Sequence, residues 1–109
     1  MQRGEIWWGR LPPPMNTRPV LLLSRDQAYS RRAYVTVAPV TRTTVRLISS
    51  HVPLGPAEGL RTASMVNLDS ILTIPKRLLE LRIGQLSPDK MRGVEEAIRF
   101  ALELPAYQR

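Results

Sequence analysis

Short apolar segments broken by turn residues most constrain what this chain can fold into. Seven stretches of four to eight residues follow one another, and no linker long enough to divide the chain separates them. They are Glu5–Leu11, Pro19–Ser24, Tyr34–Thr41, Ser50–Leu54, Ser64–Leu68, Ile71–Ile74 and Leu81–Leu86. Segments of this length, rich in β-branched and large apolar side chains, are typical of strands. The nearly continuous apolar run at Pro19–Ser24 predicts a strand buried on both faces. We expect one domain over residues 1–109.

The last segment has helical periodicity. Ser87 suits the N-cap, Pro88 the first helical position, and Asp89 the positive first turn. Apolar residues then recur on one face, which predicts packing on the core: Met91, Val94, Ile98, Ala101 and Leu102. Phe100 and Leu104 lie off this face, either as an incidental exposed pair or as a contact with a second subunit. We therefore predict a mainly β fold, a small curved sheet or barrel with a C-terminal helix packed on it.

The charge balance indicates an anionic partner. The chain has sixteen Lys and Arg against nine Asp and Glu, a net charge of +7, and fourteen of the sixteen cations are arginine. The planar guanidinium of arginine suits bidentate contact with phosphate. A small, strongly basic domain favours nucleic acid or an acidic protein as partner. A basic protein without such a partner stays open as the alternative.

Several classes of site are excluded or disfavoured by composition. The chain has no cysteine, which excludes disulfides and thiolate metal sites. Its single histidine, His51, cannot form a His-rich metal site or a two-histidine nuclease, and we expect it to be structural or on the surface. No apolar segment approaches the roughly 18 residues of a membrane span, and no signal-peptide pattern opens the chain. We expect no metal, no membrane association and a cytoplasmic location.

Arg18 and the stretch Thr41–Arg46 are the polar features with a chemical use. Arg18 stands at the entrance of an apolar strand, although its guanidinium keeps its charge at cellular pH and cannot enter a core. If these strands are neighbours, Arg18, Thr41 and Arg42 surround one phosphate. The cation would stabilise charge on the phosphorus oxygens and the threonine would donate or relay a hydrogen bond. RNA would supply its own 2′-hydroxyl as nucleophile, without a metal or other cofactor. A plain surface arginine is the alternative.

Six blocks in series resemble the successive signatures of the MazF/PemK family of toxin endoribonucleases. They are RGEIWW at Arg3–Trp8, TRPVLLLSRD at Thr17–Asp26, VAPVTRTT at Val37–Thr44, VPLGPAEGL at Val52–Leu60, SMVNLDSILTI at Ser64–Ile74 and RIGQLSPDKM at Arg82–Met91. The resemblance implies an SH3-like barrel of the MazF/CcdB type that forms a homodimer. It also implies metal-independent cleavage of single-stranded RNA, leaving a 2′,3′-cyclic phosphate and a 5′-hydroxyl, and neutralisation by an acidic, MazE-like antitoxin.

The resemblance assigns Arg18 and Thr41 as the catalytic pair. It also makes Asp69 a candidate for catalytic support, with a turn-capping aspartate as the alternative. Many relatives have an acid or a histidine in the first loop, whereas Pro12–Thr17 has no ionisable group here. The resemblance therefore leaves open which group acts as general acid or base, and Arg18 is a candidate for both charge stabilisation and proton transfer.

Further contacts with RNA follow from the distribution of cations and aromatic rings. Arg42 and Arg46 flank Thr41, and Arg25 lies after the second strand together with two more arginines, Arg31 and Arg32. Each is a candidate phosphate contact or a solvated charge. Trp7 and Trp8 alternate across the first strand, so one faces the core and the other lies nearer the surface, where it either packs or stacks on a base.

Two other functions remain as alternatives to the ribonuclease. The first is a non-catalytic toxin of the same fold that binds DNA gyrase, as CcdB does. Its action depends on a Trp-Gly-Ile ending, which LELPAYQR lacks. The second is an RNA-binding module that has lost its catalytic competence, because the short first loop omits a group that relatives carry.

Overall fold

In the part of the chain that the structure describes, seven antiparallel strands and one long helix form the fold. The structure is a computed structural model that describes residues 1–43 and 45–105. The strands are β1 (Glu5–Arg10), β2 (Thr17–Leu22), β3 (Tyr34–Arg42), β4 (His51–Leu54), β5 (Ser64–Asn67), β6 (Leu72–Pro75) and β7 (Leu79–Gln85). The helices are α1 (Ala28–Arg31) and α2 (Pro88–Leu102), and single 3₁₀ turns span Pro56–Glu58, Leu68–Ser70 and Lys76–Leu78. The predicted mainly β fold with a C-terminal helix is confirmed.

The sheet is open, and β3 lies at its centre. The strand order is β4-β5-β3-β2-β1-β7, with β6 also paired to β3. β5 and β6 follow one another along the same edge of β3: Val40 pairs with Val66 in β5, and Val37 pairs with Leu72 in β6. The 3₁₀ turn Leu68–Ser70 lies between them. Among the described residues no ladder joins β4 to β7, so the predicted sheet or barrel is an unclosed one.

Strand β2 separates two apolar clusters. Its residues Val20, Leu21 and Leu22 are fully buried, as the continuous apolar run predicts for a strand covered on both faces. Leu21 belongs to a larger cluster that includes Ile6, Val66, Leu68 and Val94. Val20 and Leu22 belong to a second cluster that includes Val35, Val37 and Ile74. Alternate side chains of a strand point to opposite faces, so this one strand holds both clusters in place.

Helix α2 begins as predicted and covers the larger cluster. The Ser87 hydroxyl accepts a hydrogen bond from the amide of Lys90 at 3.1 Å. Val94 and Ala97 are buried, and the partly buried residues packed beside them are Met91, Ile98 and Ala101. The prediction that Leu102 packs on the core was wrong, because its side chain is 57% exposed. At 3.6 residues per turn Leu102 lies about 80° from Val94, at the edge of the buried stripe.

The end of α2 leaves large apolar side chains in solvent. Phe100 is 59% exposed and Leu104 is 49% exposed. Phe100 lies off the packed face of α2, as predicted, whereas Leu104 follows the end of the helix. Within the described residues, neither α1 nor α2 combines the length and the apolar character that crossing a membrane requires.

Candidate functional site

An open groove of about 880 Å³ lies where the start of β2 meets the end of β3. It brings Arg18, Thr41 and Arg42 together. The other residues that line it are Trp8, Thr17, Pro19, Val40, Gly59, Leu60, Arg61, Thr62, Ser64 and Ile83. The strands are neighbours, which is the condition on which the sequence-based site depended.

Strand register explains why Arg18 and Thr41 share the groove. β2 and β3 are antiparallel, and their ladder ends at the pair Val20–Pro39. Arg18 and Thr41 each lie two residues beyond that pair, on the two strands, at the same end of the sheet. An antiparallel pair always places the beginning of one strand beside the end of the next.

The loop before β2 fixes the guanidinium of Arg18. Its Nε donates a 2.6 Å hydrogen bond to the carbonyl oxygen of Met15. The loop is itself a tight turn, because the amides of Met15 and Asn16 both donate to the carbonyl oxygen of Pro12, at 3.1 and 3.3 Å. One of the five N–H donors of the guanidinium is used in this way. No carboxylate of the described residues lies within ion-pair distance of Arg18.

Three arginines make the groove electropositive. Arg18, Arg42 and Arg61 line it, and none of the described residues that line it is acidic. Glu58, next to the lining residue Gly59, is buried and its Oε1 accepts a 2.7 Å hydrogen bond from the amide of Gly55. A concave surface with charge of one sign focuses the field and attracts a polyanion. The groove therefore suits a chain of phosphates.

Close backbone packing against β7 positions the wall that carries Arg61. A methyl group added at Gly84 would overlap the carbonyl oxygen of Glu58, and one at Gly59 would lie 2.6 Å from that of Ile83. Gly59 also has a φ of 89°, which glycine adopts without strain. The 3₁₀ turn Pro56–Glu58 can approach β7 this closely because both positions lack a side chain.

Trp7 and Trp8 point to opposite sides of β1. Trp7 is half-buried against the second apolar cluster, and its Nε1 donates to Glu5 Oε1 at 3.0 Å. Trp8 is 38% exposed and lines the groove. The predicted alternation is confirmed. An aromatic face in a basic groove suits stacking on an unpaired base.

Three predicted site residues lie outside the groove. Arg25 follows the far end of β2, and Arg46 is exposed in the segment between β3 and β4; neither lines the groove. Asp69 lies in the 3₁₀ turn Leu68–Ser70, where its Oδ2 accepts a hydrogen bond from the buried Ser50 hydroxyl. The backbone amide of Asp69 donates to Asn67 Oδ1 at 2.9 Å. Its carboxylate thus joins this turn to Ser50, while its amide takes part in the capping of the turn by Asn67.

The lone histidine is also remote from the groove. His51 begins β4, and its Nδ1 accepts a 3.3 Å hydrogen bond from the amide of Ile48. Within residues 1–43 and 45–105, no three His, Cys, Asp or Glu residues gather as a metal site would require. The groove offers hydroxyl and guanidinium donors, which bind anions.

Arg61 and Thr62 line the groove although the sequence did not predict them as site residues. They follow the glycine- and proline-rich stretch Gly55–Gly59, which predicts a turn and gives no sign of where that turn lies. Their position depends on β5 pairing with the end of β3 through Arg42 and Ser64. The one available signal was an arginine placed between a turn and a strand.

Comparison with known proteins identifies the family. The model for the PemK-like, MazF-like toxins of type II toxin–antitoxin systems matches residues 2–102. The chain belongs to the PemK/MazF toxin family. This MazF-like toxin is 38% identical over 102 residues to the probable endoribonuclease MazF5 of Mycobacterium tuberculosis, covering 93% of this chain and 92% of that one. It is 40% identical over 87 residues to endoribonuclease MazF3 of the same species, covering 80% and 84%.

Solved structures agree with the sequence comparison. The Mycobacterium tuberculosis toxin MazF-mt6 superposes with a TM-score of 0.86 at 36% identity, covering 94% of this chain and 99% of that one. A mycobacterial endoribonuclease in complex with its cognate antitoxin superposes with a TM-score of 0.84 at 28% identity, covering 98% and 99%. The family resemblance inferred from the six sequence blocks is confirmed.

Proposed function

We propose that this MazF-like toxin is an endoribonuclease that cuts single-stranded RNA in the groove, with Arg18 and Thr41 as its catalytic residues. The observation that carries the proposal is that Arg18 and Thr41 line the same groove, together with Arg42 and Arg61. The endoribonuclease names of the relatives MazF5 and MazF3 support RNA as the substrate. Trp8 offers a stacking face at the same groove.

The reaction is an attack of the RNA on itself. The 2′-oxygen forms a bond to the adjacent phosphorus while the bond from phosphorus to the 5′-oxygen breaks. The products are a 2′,3′-cyclic phosphate and a 5′-hydroxyl, and no water is consumed. Negative charge grows on the phosphoryl oxygens in the transition state, where the guanidinium of Arg18 and the hydroxyl of Thr41 donate hydrogen bonds to it.

Proton movement in this groove relies on solvent. The ionisable side chains among its described lining residues are arginines, whose guanidinium groups stay protonated. The 2′-hydroxyl therefore loses its proton to water or hydroxide, and the leaving 5′-oxygen takes one from water. Arg18 stabilises charge throughout without giving up its own proton. Binding that aligns the 2′-oxygen with the departing 5′-oxygen supplies much of the acceleration.

An antitoxin and a second subunit complete the proposal. The structure of a relative with its cognate antitoxin supports an antitoxin partner here. An acidic segment laid across Arg18, Arg42 and Arg61 would block the groove. The exposed Phe100 and Leu104 at the end of α2 offer apolar area to a second copy of the chain. We place the toxin in the cytoplasm, where its RNA substrate is.

The test is incubation of the purified protein with mixed-sequence RNA in EDTA. An all-deoxy copy of the substrate and the variant Arg18→Ala run beside it. We expect cutting of the RNA alone, products ending in a cyclic phosphate, and loss of cutting in the variant. Arg92→Ala, which removes an exposed cation from α2, serves as the control for charge. Intact RNA over a wide range of sequences would contradict the proposal and favour the RNA-binding module or the gyrase-directed toxin.

A further inference from the structure

The described arginines outside the groove divide by their partners. Ion pairs with carboxylates hold five of them: Arg3, Arg10, Arg82, Arg92 and Arg99. Five others are exposed, with no carboxylate of the described residues within ion-pair distance: Arg25, Arg31, Arg32, Arg46 and Arg77. Arg46 lies between β3 and β4, and the other four come from segments that meet at one end of the sheet.

Hydrogen bonds tie those segments to one another. The amide of Lys76 donates to the carbonyl oxygen of Ala33 at 2.8 Å, and its Nζ donates to that of Tyr29 at 2.6 Å. Tyr34 pairs with Pro75 where β3 begins and β6 ends. This end of the sheet, defined by Arg25, Arg31, Arg32, Tyr34, Lys76 and Arg77, is called the distal basic face below.

The distal basic face also carries an exposed aromatic ring. Tyr34 is 61% exposed beside a concavity of about 290 Å³ that Lys76 and Arg77 also line. Asp26, the acidic residue in the same stretch of chain, accepts a 2.7 Å hydrogen bond at Oδ1 from the amide of Arg3. Cations without acidic partners around an exposed ring are the combination that binds single-stranded nucleic acid.

We propose that the distal basic face is a second RNA-binding surface, which holds the backbone of a substrate whose scissile phosphate lies in the groove. The proposal rests on the proposed ribonuclease function. β3 runs from Tyr34 on the distal basic face to Thr41 in the groove, a distance of about 23 Å at about 3.3 Å per residue. A stacked strand rises about 3.4 Å per nucleotide, so about seven nucleotides join the two sites.

RNA fits this face better than an acidic protein because the groove already places an RNA chain within reach. A strand held in the groove reaches the distal basic face at high effective concentration, so a weak second contact adds substantially to affinity. It follows that a tetranucleotide uses the groove alone, while a long RNA uses both surfaces. The enzyme therefore prefers long substrates through tighter binding, with no change in the chemistry.

The test measures binding to 2′-O-methyl RNA, which lacks the nucleophile and is not cut. Oligomers of about four and about 24 nucleotides are titrated at several salt concentrations against wild type and Arg31→Gln/Arg77→Gln. For the long oligomer, we expect the magnitude of the slope of log affinity against log salt to decrease by about 1.4, because each of the two lost phosphate contacts accounts for about 0.7. The affinity and the slope for the short oligomer should be unchanged. Tyr34→Thr keeps a strand-forming residue and should weaken the binding of the long oligomer, with no effect on the binding of the short one.

The matched control is Arg92→Gln/Arg99→Gln, which removes the same charge from ion-paired arginines of α2. An unchanged slope in the distal variant, or an equal loss in the control, would overturn the proposal. So would loss of binding to a polyglutamate peptide in the distal variant with RNA binding intact, since that identifies a protein-binding face. Because binding is measured without cleavage, failure of the ribonuclease assay is a separate result.

Discussion

The Nε of Arg18 lies 2.6 Å from the carbonyl oxygen of Met15, and this hydrogen bond joins the catalytic candidate to the loop before it. The loop has no ionisable side chain of its own, yet it determines how the guanidinium is presented. A lysine keeps the charge but has no Nε donor and no planar pair of donors for phosphate.

We therefore expect Arg18→Lys to lose at least about 100-fold in the cleavage rate, in the range seen when a single donor to a transition-state oxygen is removed. Single-turnover cleavage of RNA measures this loss, and circular dichroism checks the fold. A lysine variant with the wild-type rate would show that charge alone is sufficient at this position.

Thr41→Val tests the hydroxyl at the end of β3. Valine has the same shape and favours a strand, so the fold should be retained. We expect the cleavage rate to fall by about 10- to 100-fold, because a hydrogen bond to a charged group contributes about 1.5–3 kcal/mol. Thr41→Ser keeps the hydroxyl and should recover most of the rate. A serine variant as slow as the valine variant would leave Thr41 with a packing role.

Gly84→Ala tests the wall of the groove. Its methyl group would overlap the carbonyl oxygen of Glu58, so the 3₁₀ turn Pro56–Glu58 and the following Arg61 must shift. We expect a loss of about 1–3 kcal/mol in the free energy of unfolding, with weaker RNA binding. Thermal and urea melts measure the stability.

Gly93→Ala is the matched control for that variant. A methyl group at Gly93, on the exposed side of α2, meets nothing within 4 Å. Alanine in a helix is favoured over glycine by about 0.5–1 kcal/mol, so this variant should be more stable than wild type. If the two alanine variants have the same melting temperature, close packing at Gly84 does not position the wall of the groove.

Glu5 is predicted to make the stability depend on acid. Burial raises its pKa, but hydrogen bonds from Trp7 Nε1, the amide of Gln2 and Arg82 Nε outweigh burial and lower the pKa below its ordinary value. A carboxyl group with a lowered pKa in the folded state stabilises the fold above its unfolded pKa. That contribution disappears as the pH falls through the folded pKa.

Glu5→Gln should therefore flatten the decline of the urea midpoint between neutral and acidic pH, and Trp7 fluorescence reports on the same site. The exposed Glu96→Gln, whose carboxylate pairs with Arg99 on the surface of α2, is the comparison. A wild-type decline in the Glu5 variant would assign the acid sensitivity to other carboxyl groups.

Phe100→Ser/Leu104→Ser tests the second subunit. Both side chains are exposed, so their loss costs the monomer little, while an interface that buries them would be weakened. Sedimentation velocity should give a dimer for wild type and a monomer for the variant. Val45→Ser/Ile48→Ser removes another exposed apolar pair and should leave the dimer intact. If all three proteins sedimented with the same mass, Phe100 and Leu104 would not contribute to a subunit interface.

Local patterns predicted the elements well. The β-branched and apolar segments gave strands within about two residues of their observed ends, and Ser87 caps α2 as its sequence indicates. Strand period and helix capping depend on neighbouring residues alone, which explains this success. Local patterns failed at Leu102, which was predicted to be buried and is exposed. How wide a face of the helix is buried depends on the surface on which the helix packs, and that surface comes from distant segments.

The candidate site was only partly predictable. Arg18 and Thr41 line one groove because β2 and β3 are consecutive in the chain and pair antiparallel, as consecutive strands commonly do. Arg61 enters the groove through pairing between β3 and β5, which are distant in sequence. Asp69 lies outside the groove, where its carboxylate accepts a hydrogen bond from the buried hydroxyl of Ser50. No local pattern contains those partners.

By itself, the sequence determined the family, the strands, the helix and the excess of arginine. Those properties follow from residue type and spacing along the chain. Only the tertiary structure decided which arginines share the groove, which form ion pairs and which gather at the other end of the sheet. The reason is physical: phosphate binding depends on charges separated by a few ångströms in space, and strand pairing between distant segments sets those separations.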